Sequence, residues 1–202
     1  MHLPNLGLGI GRRLGIAQYV ARRANRPRYW WSRIVVDRET EAYVRSLDYQ
    51  SMAALEISGK KWTNFGFGSH MTAEWPEYDW CAGTVDGVFD IVIAEQVLEH
   101  VQQPAAALRN TQAMLADDGV LVLTTPFLIR VHALPFDGFR WTPDGLRQLL
   151  NECGFGNVET GSWGNRRCVV ANFEDWVHYK PWHSLRNEPL FPVVVWAFAR
   201  KR

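Results

Sequence analysis

The sequence is poor in cysteine, and no uninterrupted apolar run approaches membrane-spanning length. Cys81, Cys153 and Cys168 are an odd number without a C-x-x-C pair. Neither a disulfide framework nor a cysteine-bound zinc is expected, and a reducing, cytoplasmic setting fits. The apolar start (Leu6, Leu8, Ile10) stops at Arg12-Arg13 with no small-residue cleavage site, so no signal peptide is expected. Charge of one sign is also scarce, the formal net charge being +1. Nothing demands a nucleic acid, and none is expected as a partner. A G-x-G-x-x-G loop is missing, which sets a nicotinamide dehydrogenase aside. Internal repeats and low-complexity tracts are absent.

What is present describes one globular core: 202 residues, 47% apolar and 21% charged. Residues 1–48 read as an N-terminal helical extension with a break at Arg26-Pro27, and residues 49–202 as one α/β unit. The arginines of 12–45 alternate with Trp30, Trp31 and Ile34, as on the solvated face of packing helices. Those tryptophans suit either a cover over a pocket or a homodimer interface. Residues 52–58 suit a buried strand entering a tight loop at Gly59, and 62–68 a second short strand. Residues 89–94 and 120–124 are apolar runs that read as central strands. A helix opens at Pro104 and ends at Asp117-Asp118-Gly119, and another runs from Thr142-Pro143 to a glycine cap at Gly154. Residues 158–163 and 193–198 supply a closing pair of strands. Alternating strands and helices predict a doubly wound, mostly parallel sheet.

The segment from Phe89-Asp90-Ile91-Val92-Ile93-Ala94-Glu95-Gln96 to Val97-Leu98-Glu99-His100-Val101 resembles the fourth strand and following turn of class I S-adenosylmethionine-dependent methyltransferases. The Leu115-Ala116-Asp117-Asp118-Gly119 turn, the strand 120–124 and the late helix 145–155 resemble the same family in order. That resemblance implies a Rossmann-like fold with an abbreviated first half, and S-adenosylmethionine as cofactor. It implies Glu56, Ser58 and Gly59 at the cofactor loop, Ala94 and Glu95 beside them, and Trp80 and Cys81, at the end of a third strand, near the adenine. Ligands of open α/β sheets sit beyond the carboxyl ends of the strands, which is where these residues fall. The sequence departs from the family at Ser58-Gly59-Lys60-Lys61-Trp62, where a glycine-rich loop is usual. It is also short between Glu56 and Asp90; Glu74 and Asp79 are weak candidates for the ribose acid.

A loop with His, Pro, Asp and Arg at the spacings of 125–143 resembles one in a large methyltransferase subgroup. Methylating a hydroxyl requires loss of its proton, a task for a histidine titrating near neutrality. His132 is the candidate base and Asp137 its orienting or substrate-binding partner. Gln96, Phe127, Arg140 and Trp141 are candidate acceptor contacts. The bland alternative pairs Asp137 with Arg140 structurally and has His132 cap the loop. His100 reads as a packing or capping residue. His178 and His183 flank Tyr179-Lys180-Pro181-Trp182, and Pro181 disfavours a helix presenting both to a metal. No metal is supported, though a divalent ion on Asp137 or Glu95 stays open. The expected function is O-methylation of a sugar or oligosaccharide hydroxyl, with the sugar 1-O-methyltransferases of methylmannose polysaccharide assembly as the nearest likeness. The opposing reading is a non-catalytic interaction subunit on the same scaffold.

Overall fold

Side chains alternate across a strand, so each strand's odd and even positions serve opposite faces of the sheet. The computed structural model describes residues 29–132 and 136–202. Its strands are β1 (Ala53–Ile57), β2 (Ser69–Ala73), β3 (Phe89–Glu95), β4 (Leu115–Pro126), β5 (Phe155–Trp163) and β6 (Val194–Lys201). They form one sheet in the order β2-β1-β3-β4-β6-β5. The first four are parallel, and β6 runs antiparallel to both β4 and β5. This is the doubly wound, mostly parallel sheet that the sequence predicts.

Helices α1 (Arg33–Arg45), α2 (Pro104–Met114), α3 (Pro143–Glu152) and α4 (Arg166–Ala171), with short 3-10 turns at Tyr49–Ser51 and Leu98–His100, complete the described elements. On one face of the sheet, Leu55, Ile57, Val92, Ala94, Leu121 and Leu123 pack with Leu108 and Met114 of α2 and Leu146 and Leu150 of α3. On the other, Ala54, Ile91, Ile93, Val120 and Val122 pack with Val44 of α1 and with Trp62. Helix α1 therefore forms a layer of the fold, and Tyr43 stacks on Phe198 of β6 at 3.8 Å. The expected break at Arg26-Pro27 lies outside the described residues. Helix α3 begins as its sequence dictates: the Thr142 hydroxyl accepts from the Gly145 amide, and Pro143 sits in the first turn. Gly154 closes it at φ +93, a left-handed position that glycine takes without strain.

The front half differs from expectation. Residues 62–68 form turns rather than a strand, and the second strand is Ser69–Ala73. Gly66 at φ +101 breaks an extended run. The indole of Trp62 is fully buried instead, its ring centroid 4.6 Å from that of Phe65. Tyr49 packs on Phe65 and Phe67 in turn. This aromatic knot joins β1 to β2 where a crossover helix is usual, and fully burying one large side chain there contributes roughly 2–3 kcal/mol. Residues 74–88 contain no strand, so Trp80 and Cys81 sit in turns and not at a strand end.

Candidate active site

A cleft of about 420 Å³ opens at the carboxyl ends of β1 and β3. That volume lies within the ~300–1,000 Å³ common for small-molecule sites. Its walls include Ile57, Ser58, Trp75, Tyr78, Asp79, Trp80, Cys81, Gln96, Val97, His100 and Phe136. Both strand ends facing it carry a non-glycine residue in the left-handed region, Ser58 at φ 54 and Gln96 at φ 59. Such a conformation costs an L-residue roughly 1–2 kcal/mol and is typical of strained functional turns. Each turn is pinned: the Ser58 amide donates to the Ala73 carbonyl, and the Gln96 amide to that of Thr124. The Gln96 side chain is held as well, its Nε2 donating to Thr124 Oγ1 at 3.0 Å. Trp80 forms a buried wall fixed by α2; its indole N–H donates to Thr111 Oγ1 at 2.8 Å and its carbonyl accepts from Asn110. Burial pushes the Tyr78 hydroxyl up to about 12, and it donates to the Gly83 carbonyl.

Of the residues assigned by resemblance to a cofactor, the structure brings Ser58, Trp80 and Cys81 to this cleft. It does not bring Glu56, Gly59, Ala94 or Glu95 to its walls. The pleat is the reason. Glu56 shares parity with Ala54, and Glu95 with Ile91 and Ile93, so both carboxylates project toward α1. There the loop after β1 takes them up. Glu56 accepts from the amides of Lys61 at 2.9 Å and Trp62 at 3.2 Å, and His70 Nε2 lies 3.1 Å from it. A Cβ on Gly59 would stand 2.5 Å from Glu56 Oε1, so this glycine admits the carboxylate. Glu95 meets Arg33 at 3.0 Å, Lys61 Nζ at 3.3 Å and the Thr40 hydroxyl at 3.1 Å. Burial pushes its carboxyl up, Arg33 and Lys61 pull it down, and the net shift is downward. Ala94 is fully buried in the core.

On the acceptor side, the loop after β4 brings its charged residues together. The Asp137 carboxylate is fully buried and accepts from the His132 amide at 2.9 Å. It pairs with Arg140 through both guanidinium nitrogens, one of them at 2.7 Å. Hydrogen bonding from Arg140 is the main reason its carboxyl falls to about 2. His132 Nδ1 lies 3.1 Å from the same carboxylate. Burial holds the His132 ring below its ordinary value against the pull of Asp137, and His100 lowers it further, which favours the neutral ring. The His132 ring meets that of His100 edge-on at 4.9 Å, and His100 lines the cleft. Gln96 lines the cleft too. Phe127 and Trp141 pack against the core beneath α3, and Arg140 is engaged by Asp137. Trp176 meets His132 edge-on at 5.5 Å and lies 6.5 Å from Trp30, so an aromatic chain links Trp30 to this loop.

Sequence reasoning passed over Trp75, Tyr78 and Val97 as cleft walls, took Asp79 for a weak ribose candidate and His100 for a packing residue, and counted Phe136 among the aromatics suited to an apolar pocket. Their one advance signal was position beyond strand ends. It also passed over Glu99, which is fully buried, its carboxyl pushed by burial up to about 8.

A family model described as a methyltransferase domain matches residues 20–160. No curated protein sequence matches the chain. Among solved structures, it is similar to a putative S-adenosylmethionine-dependent methyltransferase from Listeria monocytogenes, at 9% identity over 81% of this chain and 99% of that one, TM-score 0.53. The N-methyltransferase NodS from Bradyrhizobium japonicum WM9 aligns at 14% identity over 83% and 97%, TM-score 0.52. Phosphoethanolamine N-methyltransferase 2 from Haemonchus contortus, in complex with S-adenosyl-L-methionine, aligns at 10% over 81% and 52%, TM-score 0.53. Identities this low bear on fold alone, and the fold is the Rossmann-like one of class I methyltransferases. With more than half its length matched by the family model, the chain belongs to the methyltransferase-domain family.

Proposed function

We propose that the chain transfers the methyl group of S-adenosylmethionine to a hydroxyl of a small molecule, with a sugar or oligosaccharide as the acceptor. The observation that carries this is the adjacency of two sites. A cleft of cofactor size lies at the β1 and β3 ends, and the His132–Asp137–Arg140 cluster lies behind its His100 wall. The cleft residues suit the cofactor: Trp75 and Trp80 offer aromatic surface, Asp79 offers a carboxylate, and the turns at Ser58 and Gln96 offer backbone at the rim. When bound, S-adenosylmethionine supplies an activated methyl group on a sulfonium.

The chain's own part is to orient, to exclude water and to accept a proton. Arg140 fixes the Asp137 carboxylate, and that carboxylate holds the His132 backbone and faces its ring. A ring kept neutral by burial is in the state that takes a proton from an acceptor hydroxyl at neutral pH. Phe136 beside the cleft, and Phe139 stacked on Trp141 at 5.4 Å, give the loop ring faces of the kind that pack on sugar C–H groups. No described helix is long and apolar enough to cross a membrane.

One observation favours the opposing reading of a non-catalytic subunit: Glu56 and Glu95 are both spent on the loop and α1. Calorimetry with S-adenosylhomocysteine decides between them. Binding is expected; no heat at millimolar ligand sinks the enzyme reading. Methyl transfer from labelled cofactor to a panel of sugars, amines and carboxylates then tests the acceptor class, and transfer to amines alone refutes the hydroxyl.

A further inference from the structure

Beside the cleft, Glu99, His100 and His132 each bring one ligand atom to within 4.8 Å of the others. The Glu99 side chain is fully buried, and among the described residues neither of its oxygens has a hydrogen-bond partner. A buried carboxyl left without a partner forfeits its hydration with no return, so it is rare without a ligand to explain it. Among the described residues Thr125 Oγ1 is likewise buried without a partner at hydrogen-bond geometry.

His100 sharpens the point. Its Nδ1 lies 2.5 Å from the Phe136 carbonyl oxygen. A carbonyl only accepts, so Nδ1 carries a proton, and in the neutral ring Nε2 keeps its lone pair. That lone pair is 3.5 Å from Glu99 Oε1. A cation between them gives both electron pairs a partner, in place of the proton that the buried carboxyl otherwise holds. An Nδ1–H held by a backbone carbonyl is also the usual outer support of a metal-binding imidazole. The third ring, His132, has the Asp137 carboxylate 3.1 Å from Nδ1, and Asp137 is itself anchored by Arg140.

We propose that Glu99, His100 and His132 bind a divalent transition-metal ion of the zinc class. Two imidazoles and one carboxylate suit zinc, cobalt, manganese or iron better than magnesium or calcium, which prefer all-oxygen shells. Three protein ligands leave open positions on the ion, and His100 places them at the cleft wall. Ligand atoms around such an ion stand roughly 3–3.5 Å apart, given metal–ligand bonds of ~2.1 Å. Loading therefore draws the three donors together, with His132 on the loop as the donor that moves. The binding claim rests on these side chains alone. Its consequence rests on the acceptor reading above: a His132 ring committed to an ion does not take an acceptor's proton.

The test is titration of chelator-treated protein with Co²⁺, followed by visible absorption, and with Zn²⁺, followed by calorimetry. Saturable binding of one ion per chain is expected, with a d–d spectrum of nitrogen and oxygen ligation. Glu99→Gln, His100→Ala and His132→Ala should each weaken it by roughly tenfold to a hundredfold. His178→Ala, which touches none of the three, should leave it unchanged. Binding that survives all three substitutions, or no binding in chelator-treated wild type, overturns the site. Should Glu99→Gln fail to fold, His132→Ala on the part-exposed loop carries the test. Failure here is separable from failure of the methyltransferase reading, because S-adenosylhomocysteine binding is measured on metal-free protein.

Discussion

Replacing Glu56 by alanine is expected to loosen the whole front of the molecule, and only indirectly the cleft. The carboxylate accepts from the Lys61 and Trp62 amides and faces His70 at 3.1 Å. The Trp62 amide is buried, so truncation leaves it without an acceptor. Hydrogen bonds to charged groups contribute about 1.5–3 kcal/mol each and are not additive, which puts the loss at about 3–5 kcal/mol. Against a typical stability of ~5–15 kcal/mol this is a large fraction. For a domain of this size each kcal/mol moves Tm by roughly 2–4 °C, so a fall of at least ~6 °C is expected. Tryptophan fluorescence follows the melt, since Trp62 lies at the affected position. S-adenosylhomocysteine affinity, measured well below the lowered Tm, should change less than stability does, because Glu56 does not line the cleft. Glu56→Gln keeps one acceptor and should fall between the two. A melting point within ~2 °C of wild type for the alanine variant would refute the structural role. A large loss of affinity with unchanged stability would return Glu56 to the cofactor.

His132→Ala should reduce methyl transfer by about 10²–10⁴-fold while S-adenosylhomocysteine affinity holds, with unchanged turnover removing it as base. Ser58→Gly should raise stability by about 1 kcal/mol, because it relieves the left-handed strain at φ 54; a lower urea midpoint contradicts that account. Glu95 has its folded value lowered by Arg33 and Lys61, so its contribution is complete above the ordinary carboxylate range and is lost as pH falls through the folded value. Arg33→Met should shift the acid unfolding midpoint upward, and an unaltered acid limb would show that the pair carries no such linkage.

The sheet was legible because its signals are local. Runs such as 89–94 and 120–124, the Thr142-Pro143 start and Gly154 each state an element through their own chemistry. Residues 62–68 were misread because apolar content alone does not separate a strand from an aromatic knot; Trp62 is buried by tertiary packing that no local pattern announces. The site was partly legible for a similar reason. Position after a strand end singles out Ser58 and Gln96, and both line the cleft. Parity would have turned Glu56 and Glu95 away from it, since each aligns with apolar neighbours of the α1 face. The pairing of Glu99 with His100 and His132 depends on a loop folding back, and nothing in the spacing of those residues states it.

The strand order has a consequence for how the chain assembles. β6 is the last strand in sequence among those described, yet it lies inside the sheet, between β4 and β5. Val120 pairs with Arg200, whereas Ala53 pairs with Ser69. The first contact closes a loop several times longer than the second, at a greater entropic cost. During synthesis the β2-β1-β3-β4 half can zip in the order in which it emerges. β5 must wait beside an empty slot until residues 194–201 arrive to fill it. Residues 194–201 are thus the keystone of the sheet and not its border, and the sheet is completed from its interior outward.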